Sequence, residues 1–225
     1  MYEVIYTDLG RKDYKETWDL QEETLRKMSE KKLQGETSPG HLYFVEHNHV
    51  YTLGKSGSRN NLLIGDEFLR QIDAVFYQIN RGGDITYHGP GQIVGYPVFD
   101  LDRLGILVKR YVYLLEESVI QTLQHFSLKA ERLTGATGVW IDAADSSRAR
   151  KICAIGVRVS RGITMHGFAF NVNTNLDYFH YINPCGFTDK GVTSMEKELG
   201  EIQDFNYVKN VLRQKIQTVF ELTFI

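Results

Sequence analysis

The 225-residue chain has only two cysteines, Cys153 and Cys185. That excludes a disulfide framework and points to a reducing compartment. Charge of one sign is also missing: 26 Lys and Arg stand against 28 Asp and Glu, a net charge of −2. A general nucleic-acid binder is therefore not expected, although a local basic patch remains open. No apolar run is long enough to span a bilayer. The opening "MYEVIYTDLGRKDYKE" has neither a signal-peptide nor an Arg-rich transit-peptide pattern, so a cytoplasmic protein is expected. There is no P-loop G-x-x-x-x-G-K-[ST] and no dinucleotide G-x-G-x-x-G spacing. His41, His47, His49, His125 and His180 lack the companions of a zinc site, so no metal is expected. Repeats, low-complexity segments and linkers are absent too.

What is present is ordinary globular material, 42% hydrophobic and 24% charged. "YEVIYTDLG" reads as a strand. Asp13 with Glu16 three residues on predicts a helix start, Tyr14, Trp18, Leu25 and Met28 its apolar stripe, and Gly35 its end. "HLYFVEH", "HVYTLG" and "AVFYQIN" are strand-like, with a short helix after Asp66. "IVGYPVFDL" is extended, and Pro97 within it predicts an edge or a bulge. Val108, Val112, Leu115, Val119, Leu123 and Phe126 recur at helical spacing over residues 106–126. "KICAIGVRVS" and "GITMHGFAFNV" flank Ser160-Arg161-Gly162 as a hairpin. Thr193 with Glu196 predicts a short helix cap, and Val208, Val211, Leu212, Ile216 and Val219 mark a last helix. The segment from Asp142 to Arg150, "DAADSSRAR", reads as a surface loop. Helices and strands mix without regular βαβ alternation, so an α+β single domain over residues 1–225 is expected, with mixed β-sheets packed against helices.

Four stretches carry candidate chemistry. "RGGDITYHGPGQ" (81–92) packs four glycines and a proline beside Arg81, Tyr87 and His88. A tight turn needs fewer glycines; backbone closing on a ligand is the functional alternative. "AIG" and "HGFA" place glycine inside strands, which often marks close approach by a ligand or another backbone. In "NPCGF", Cys185 lies between proline and glycine, as suits a nucleophile presented on a turn. Cys153 alternates with Ile155, Val157 and Val159, as a small core residue would. A free thiol has a pKa around 8.5 and needs activation. Lys151, opening an otherwise apolar strand, is one candidate; His88 and His166 are rivals. Arg148, Arg150, Arg158 and Arg161 surround Lys151 in sequence as a candidate basic patch.

"RGGDITYHGPGQIVGYPVFDL", "KICAIGVR", "HGFAFNVN" and "INPCGF", in that order, closely resemble the lipoyl(octanoyl) transferases. The resemblance implies the fold of the biotin and lipoate protein ligase catalytic domain. It implies Cys185 and Lys151 as catalytic residues. It also implies acyl contacts from Arg81, Gly82, Gly83, Asp84, Ile85, Thr86, Tyr87 and His88, from Ala154, Ile155 and Gly156, and from Gly167, Phe168 and Ala169. The implied donor is octanoyl-acyl carrier protein. The implied acceptors are lipoyl domains of 2-oxoacid dehydrogenases and the glycine-cleavage H protein, with no cofactor, nucleic acid or membrane involved. An ATP-dependent lipoate ligase of the same fold, a non-catalytic carrier-domain binding module and a cysteine hydrolase are the competing readings.

Overall fold

The structure, a computed structural model, describes residues 2–183 and 191–225. The chain runs β1 (Tyr2–Lys12), α1 (Tyr14–Leu33), β2 (Gly40–His47), β3 (Val50–Leu53), α2 (Asp66–Gln71), β4 (Val75–Gln78), β5 (Ile85–His88) and β6 (Gln92–Val98). It continues with α3 (Leu101–Leu104), α4 (Val108–His125), β7 (Glu131–Leu133), β8 (Ala136–Ile141), β9 (Arg150–Ser160) and β10 (Ile163–Asn171). Then come β11 (Gly191–Val192), α5 (Met195–Leu199), α6 (Phe205–Phe220) and β12 (Leu222–Phe224). Short 3₁₀ helices lie at Arg59–Asn61 and Leu176–Tyr181.

The main sheet has the order β12-β1-β2-β6-β10-β9-β8-β7, with β11 added beside β9. Its β1 pairs in parallel with β12 and β2, and the strands from β2 to β7 pair antiparallel. A second sheet, β4-β3-β5, stands apart from it. Both faces of the main sheet are covered, which explains why its strands read as almost continuously apolar. Leu42 and Phe44 of β2, Ile93 of β6 and Phe168 and Phe170 of β10 point towards α4 and α6. The alternate residues Tyr43, Val45, Val94, Tyr96, Val98 and Ala169 point towards α1, where Leu25 and Met28 meet them. Alternation along a strand has period two, so each strand serves two cores.

The local signals behave as their chemistry requires. The Asp13 side chain accepts from the backbone N–H groups of Lys15 and Glu16, fixing the start of α1. Gly35, with φ +77°, follows its end. Two expectations need correction. The short helix α5 is capped by Ser194, which accepts from the Lys197 N–H; Thr193 instead donates to Glu198. Pro97 lies on an interior strand, since β6 runs between β2 and β10. The proline is tolerated there because the β6–β10 ladder stops at Gly95–Phe168, before it reaches Pro97. On the facing strand His166 takes φ +60°, and the Pro97 carbonyl is satisfied by the Thr164 hydroxyl at 2.8 Å.

Candidate active site

A cavity of about 500 Å³ opens between the main sheet and the second sheet. Its floor is β9 from Ala154 to Val157, β10 from His166 to Ala169, and Val94 and Tyr96 of β6. Its roof is the segment Arg81–Thr86 with His88. Lys151 and Val157 both line it, and they lie six residues apart on β9. At about 3.3 Å per residue the cavity follows this strand for roughly 20 Å. That is a long, mostly apolar slot.

The roof is tied down by its own backbone. The Gly82 N–H donates to the Val157 carbonyl at 2.9 Å. A side chain at Gly156 would come within 2.9 Å of the Gly82 carbonyl oxygen and 3.0 Å of Arg81 Cδ. Gly156 is therefore bare because the Arg81–Gly83 segment crosses over it. The glycine signal in "AIG" marks approach by another backbone, the second of the two alternatives. Arg81 is buried, donating to the Thr52 carbonyl at 2.7 Å, the Thr52 hydroxyl at 3.0 Å and the Gly82 carbonyl at 3.0 Å. That buried guanidinium fixes a positive charge beside the slot.

Two buried histidines, His88 and His166, line the slot, and a third, His47, lies behind His88. His47 bonds to the Lys12 carbonyl and to the Tyr96 hydroxyl, each at 2.9 Å. His88 meets Gln92 Oε1 at 2.9 Å and the Thr52 hydroxyl at 3.3 Å. His166 meets Asn80 Oδ1 at 3.0 Å. Burial pushes His47 down to about 4 and His166 down to about 3, with the Arg81 charge adding to the second. His88 is pushed well below the ordinary range, first by burial, then by His47 and Arg81. All three are neutral near pH 7 and act as hydrogen-bonding struts.

Of the sequence-derived acyl contacts, Arg81, Gly82, Gly83, Asp84, Ile85, Thr86, His88, Ala154, Ile155, Gly156, Gly167, Phe168 and Ala169 all line the slot. Tyr87 does not. It lies between Thr86 and His88 on β5 and is fully buried in the core of the second sheet. Cys185 lies outside the described residues. The chain on either side of residues 184–190 is fixed. Upstream, the Asn183 N–H donates to the Asn61 carbonyl at 2.8 Å, and Ile182 bridges Leu62. Downstream, β11 pairs with Lys151 through Val192, and the Thr193 N–H donates to the Lys151 carbonyl at 2.9 Å. Lys151 Nζ sits 4.7 Å from the centre of the Trp140 ring.

Sequence reading missed Tyr14, Gln92, Tyr96, Asn171 and Phe179, which also line the slot. Tyr14 carried only a helix-stripe signal, and Tyr96 sat unweighed inside the quoted "IVGYPVFDL". The arginine patch is corrected. Arg158 and Arg161 are carried to the far end of an 11-residue strand from Arg150. Arg150 is engaged by Asp142 at 2.6 Å and Glu198 at 2.5 Å, Arg148 by Asp142 at 3.3 Å, and Arg158 by Glu22 at 2.9 Å. These charges are spent within the molecule. The segment from Asp142 to Arg150 is likewise turned on itself by the hydrogen bonds Arg148 N–H to Asp145 and Ala149 N–H to Asp145.

The slot is thus walled by a large mixed sheet and a small one. The family model described as Lipoyl protein ligase A/B catalytic domain matches residues 13–217. The chain is similar to the octanoyltransferase of Parabacteroides distasonis, 54% identical over 215 residues, covering 96% of this chain and 97% of that protein. It is similar to the octanoyltransferase of Bacteroides fragilis at 52% over 213 residues, 95% and 96% covered. It thus belongs to the lipoyl protein ligase A/B catalytic-domain family and, within it, to the octanoyltransferases. Solved structures share the fold at low identity. A bi-partite lipoate protein ligase from Thermoplasma acidophilum matches with TM-score 0.70 at 14% identity, 100% of this chain and 86% of that one. Biotin protein ligase from Aquifex aeolicus, in complex with biotin and ATP, matches with TM-score 0.54 at 12% identity, 98% and 71% covered. Among the described residues, no helix is long and apolar enough to cross a membrane.

Proposed function

We propose that this acyltransferase moves an octanoyl group from octanoyl-acyl carrier protein to the target lysine of lipoyl domains, through a thioester on Cys185. The acceptors are the lipoyl domains of 2-oxoacid dehydrogenases and the glycine-cleavage H protein. The observation that carries this reading is the pairing of Val192 and Thr193 with Lys151 at one end of the apolar slot. Val192 is seven residues from Cys185, and seven residues span at most about 25 Å. The chain from Gly191 to Thr193, which follows Cys185 in sequence, pairs with the strand that carries the lysine.

In the first step the Cys185 thiolate attacks the thioester carbonyl, the carbon–sulfur bond to the carrier breaks, and the carrier thiolate leaves and takes a proton from the Lys151 ammonium, which becomes neutral. In the second step the neutral amine of the acceptor lysine attacks the Cys185 thioester. The nitrogen loses a proton, and the Cys185 thiolate departs. A thiol suits both roles, as nucleophile and as leaving group. The Lys151 ammonium stabilises the thiolate in the first step, and its neutral form takes the acceptor's proton in the second. The mostly apolar slot floored by β9 and β10 holds the octanoyl chain out of water.

Mass spectrometry after exposure to octanoyl-carrier protein tests this directly. An octanoyl adduct on Cys185 is expected, followed by amide formation on added lipoyl domain without ATP. An absolute ATP requirement with an acyl-adenylate product would turn the reading to ligase chemistry. Release of free octanoate in place of amide would turn it to hydrolysis.

A further inference from the structure

Tyr87 leaves the slot for a contact of its own. Behind the wall, Tyr178 stacks on His49 with ring centres 4.1 Å apart and planes 6° apart. It stacks on Tyr87 at 4.9 Å and 12°. His49 Nδ1 lies 2.7 Å from the Tyr87 hydroxyl, and His49 Nε2 lies 3.3 Å from the Tyr178 hydroxyl. Each ring nitrogen meets one tyrosine; in neutral imidazole one accepts and the other donates. The Tyr51 hydroxyl donates to the Tyr178 backbone carbonyl at 2.8 Å.

Space-filling alone does not call for this chemistry. A phenylalanine at position 49 would stack without bringing two polar atoms that need partners. The two hydrogen bonds fix the rotation of the rings as well as their separation. What they hold is the 3₁₀ helix Leu176–Tyr181. Its Phe179 packs edge-on against Tyr87 at 5.3 Å and lines the slot. Further on, the Tyr181 carbonyl accepts from the Leu63 N–H at 2.9 Å, and Asn183 is tied to Asn61. Cys185 follows two residues later.

We propose that His49, acting through Tyr178 and Tyr87, is a positioning residue for acyl transfer: it sets the wall at Phe179 and the point from which the chain enters the Cys185 segment. The inference rests on Cys185 being the nucleophile, and the experiment separates the two. Peptide mapping of the wild-type protein after octanoyl-carrier protein comes first. An adduct on another residue overturns the nucleophile assignment and, with it, this inference. With the adduct on Cys185, single-turnover acylation is compared between wild type and His49→Phe, which keeps the stacking surface and deletes both nitrogens. The maximal rate is expected to fall about 10- to 100-fold, the range set by small misplacements of reacting groups. The half-saturating donor concentration is expected to stay within about threefold, and alkylation of Cys185 by iodoacetamide within about twofold, because a small reagent needs no alignment. A wild-type acylation rate in His49→Phe overturns the proposal, since packing alone then suffices. Parallel loss of alkylation also overturns it, since the residue would then act on the thiol itself. Should His49→Phe fail to fold, Tyr178→Phe decides: every ring stays, one hydroxyl goes, and an unchanged maximal rate sinks the idea.

Discussion

The backbone N–H of Thr193 donates to the carbonyl of Lys151 at 2.9 Å. The lysine's own strand therefore anchors the chain that returns from Cys185. Thr193 also donates through its side chain to Glu198, and Glu198 grips Arg150 at 2.5 Å. An ion pair that is mostly buried and hydrogen-bonded on both sides is costly to break from one side. The network behind Lys151 is thus a fixed frame.

From this frame the role of Lys151 can be tested. A free thiol titrates near pH 8.5, so without a nearby cation Cys185 would be mostly protonated at neutral pH. Lys151→Ala is expected to slow acylation, with the deficit shrinking as pH rises from 7 to 9. Lys151→Arg keeps the charge but gives up no proton, so it should retain more acylation than amide transfer. Single-turnover rates of each half-reaction against pH measure both. A normal acylation rate for Lys151→Ala near pH 7 would remove the lysine as activator.

The two cysteines should separate cleanly. Cys153 is 0% exposed within the core below α4, and burial pushes its thiol far above the ordinary range, with Lys151 only partly offsetting that. It is expected to resist alkylation in the folded protein and to carry no octanoyl group. Cys153→Ala should keep acylation while lowering stability by about 1 kcal/mol, the scale of one small group removed from a core. Peptide mapping with and without denaturant checks the first point, and urea unfolding the second.

Glycine substitutions in the slot should rank by geometry. Gly156→Ala drives a methyl against the Gly82 carbonyl and Arg81, so the roof must shift. A loss of about 1–3 kcal/mol and a raised KM for the octanoyl donor are expected. Gly83 has φ +88°, where any side chain is strained. Gly82 meets only the Val157 carbonyl at 3.4 Å, and Gly82→Ala should be close to neutral in both measurements. Equal effects at Gly82 and Gly156 would contradict this packing.

Much of the fold was legible because its signals are local. The Asp13 cap, the period of α4 and the β9–β10 hairpin depend on residues close in sequence. The parallel pairing of β3 with β4 has no such signal; it brings together Val50 and Val75 across the intervening helix. Pro97 signalled an edge or a bulge; the edge is contradicted, since β6 is interior and the neighbouring ladder ends before reaching the proline. The candidate site was legible in its glycine-bearing segments, less so in its geometry. Alternation alone could not exclude Tyr87 from the slot, since Ile85, on the same face of β5, lines it. Tyr14 and Phe179 could not have been found, since each arrives from a distant element. The arginines around Lys151 looked clustered only because a strand's length is invisible in a list of residues.

His47 and His166 have folded values pushed down to about 4 and about 3, chiefly by burial, while an unfolded imidazole titrates near pH 6.5. His88 is depressed as well. A lowered histidine means that the unfolded chain binds the proton first. These groups therefore leave stability intact above about pH 6.5 and withdraw it as pH falls towards 4. Each costs about 1.4 kcal/mol per pH unit within that window, before most carboxylates titrate. Urea midpoints measured from pH 7 to pH 4.5 should fall steeply, by an amount corresponding to the uptake of at least two protons on unfolding. Replacing one titrating ring, as in His166→Gln, should make the slope shallower by about one proton, even if the variant is less stable throughout. An unchanged slope in that variant would mean that His166 is already protonated, or exposed, in the folded protein.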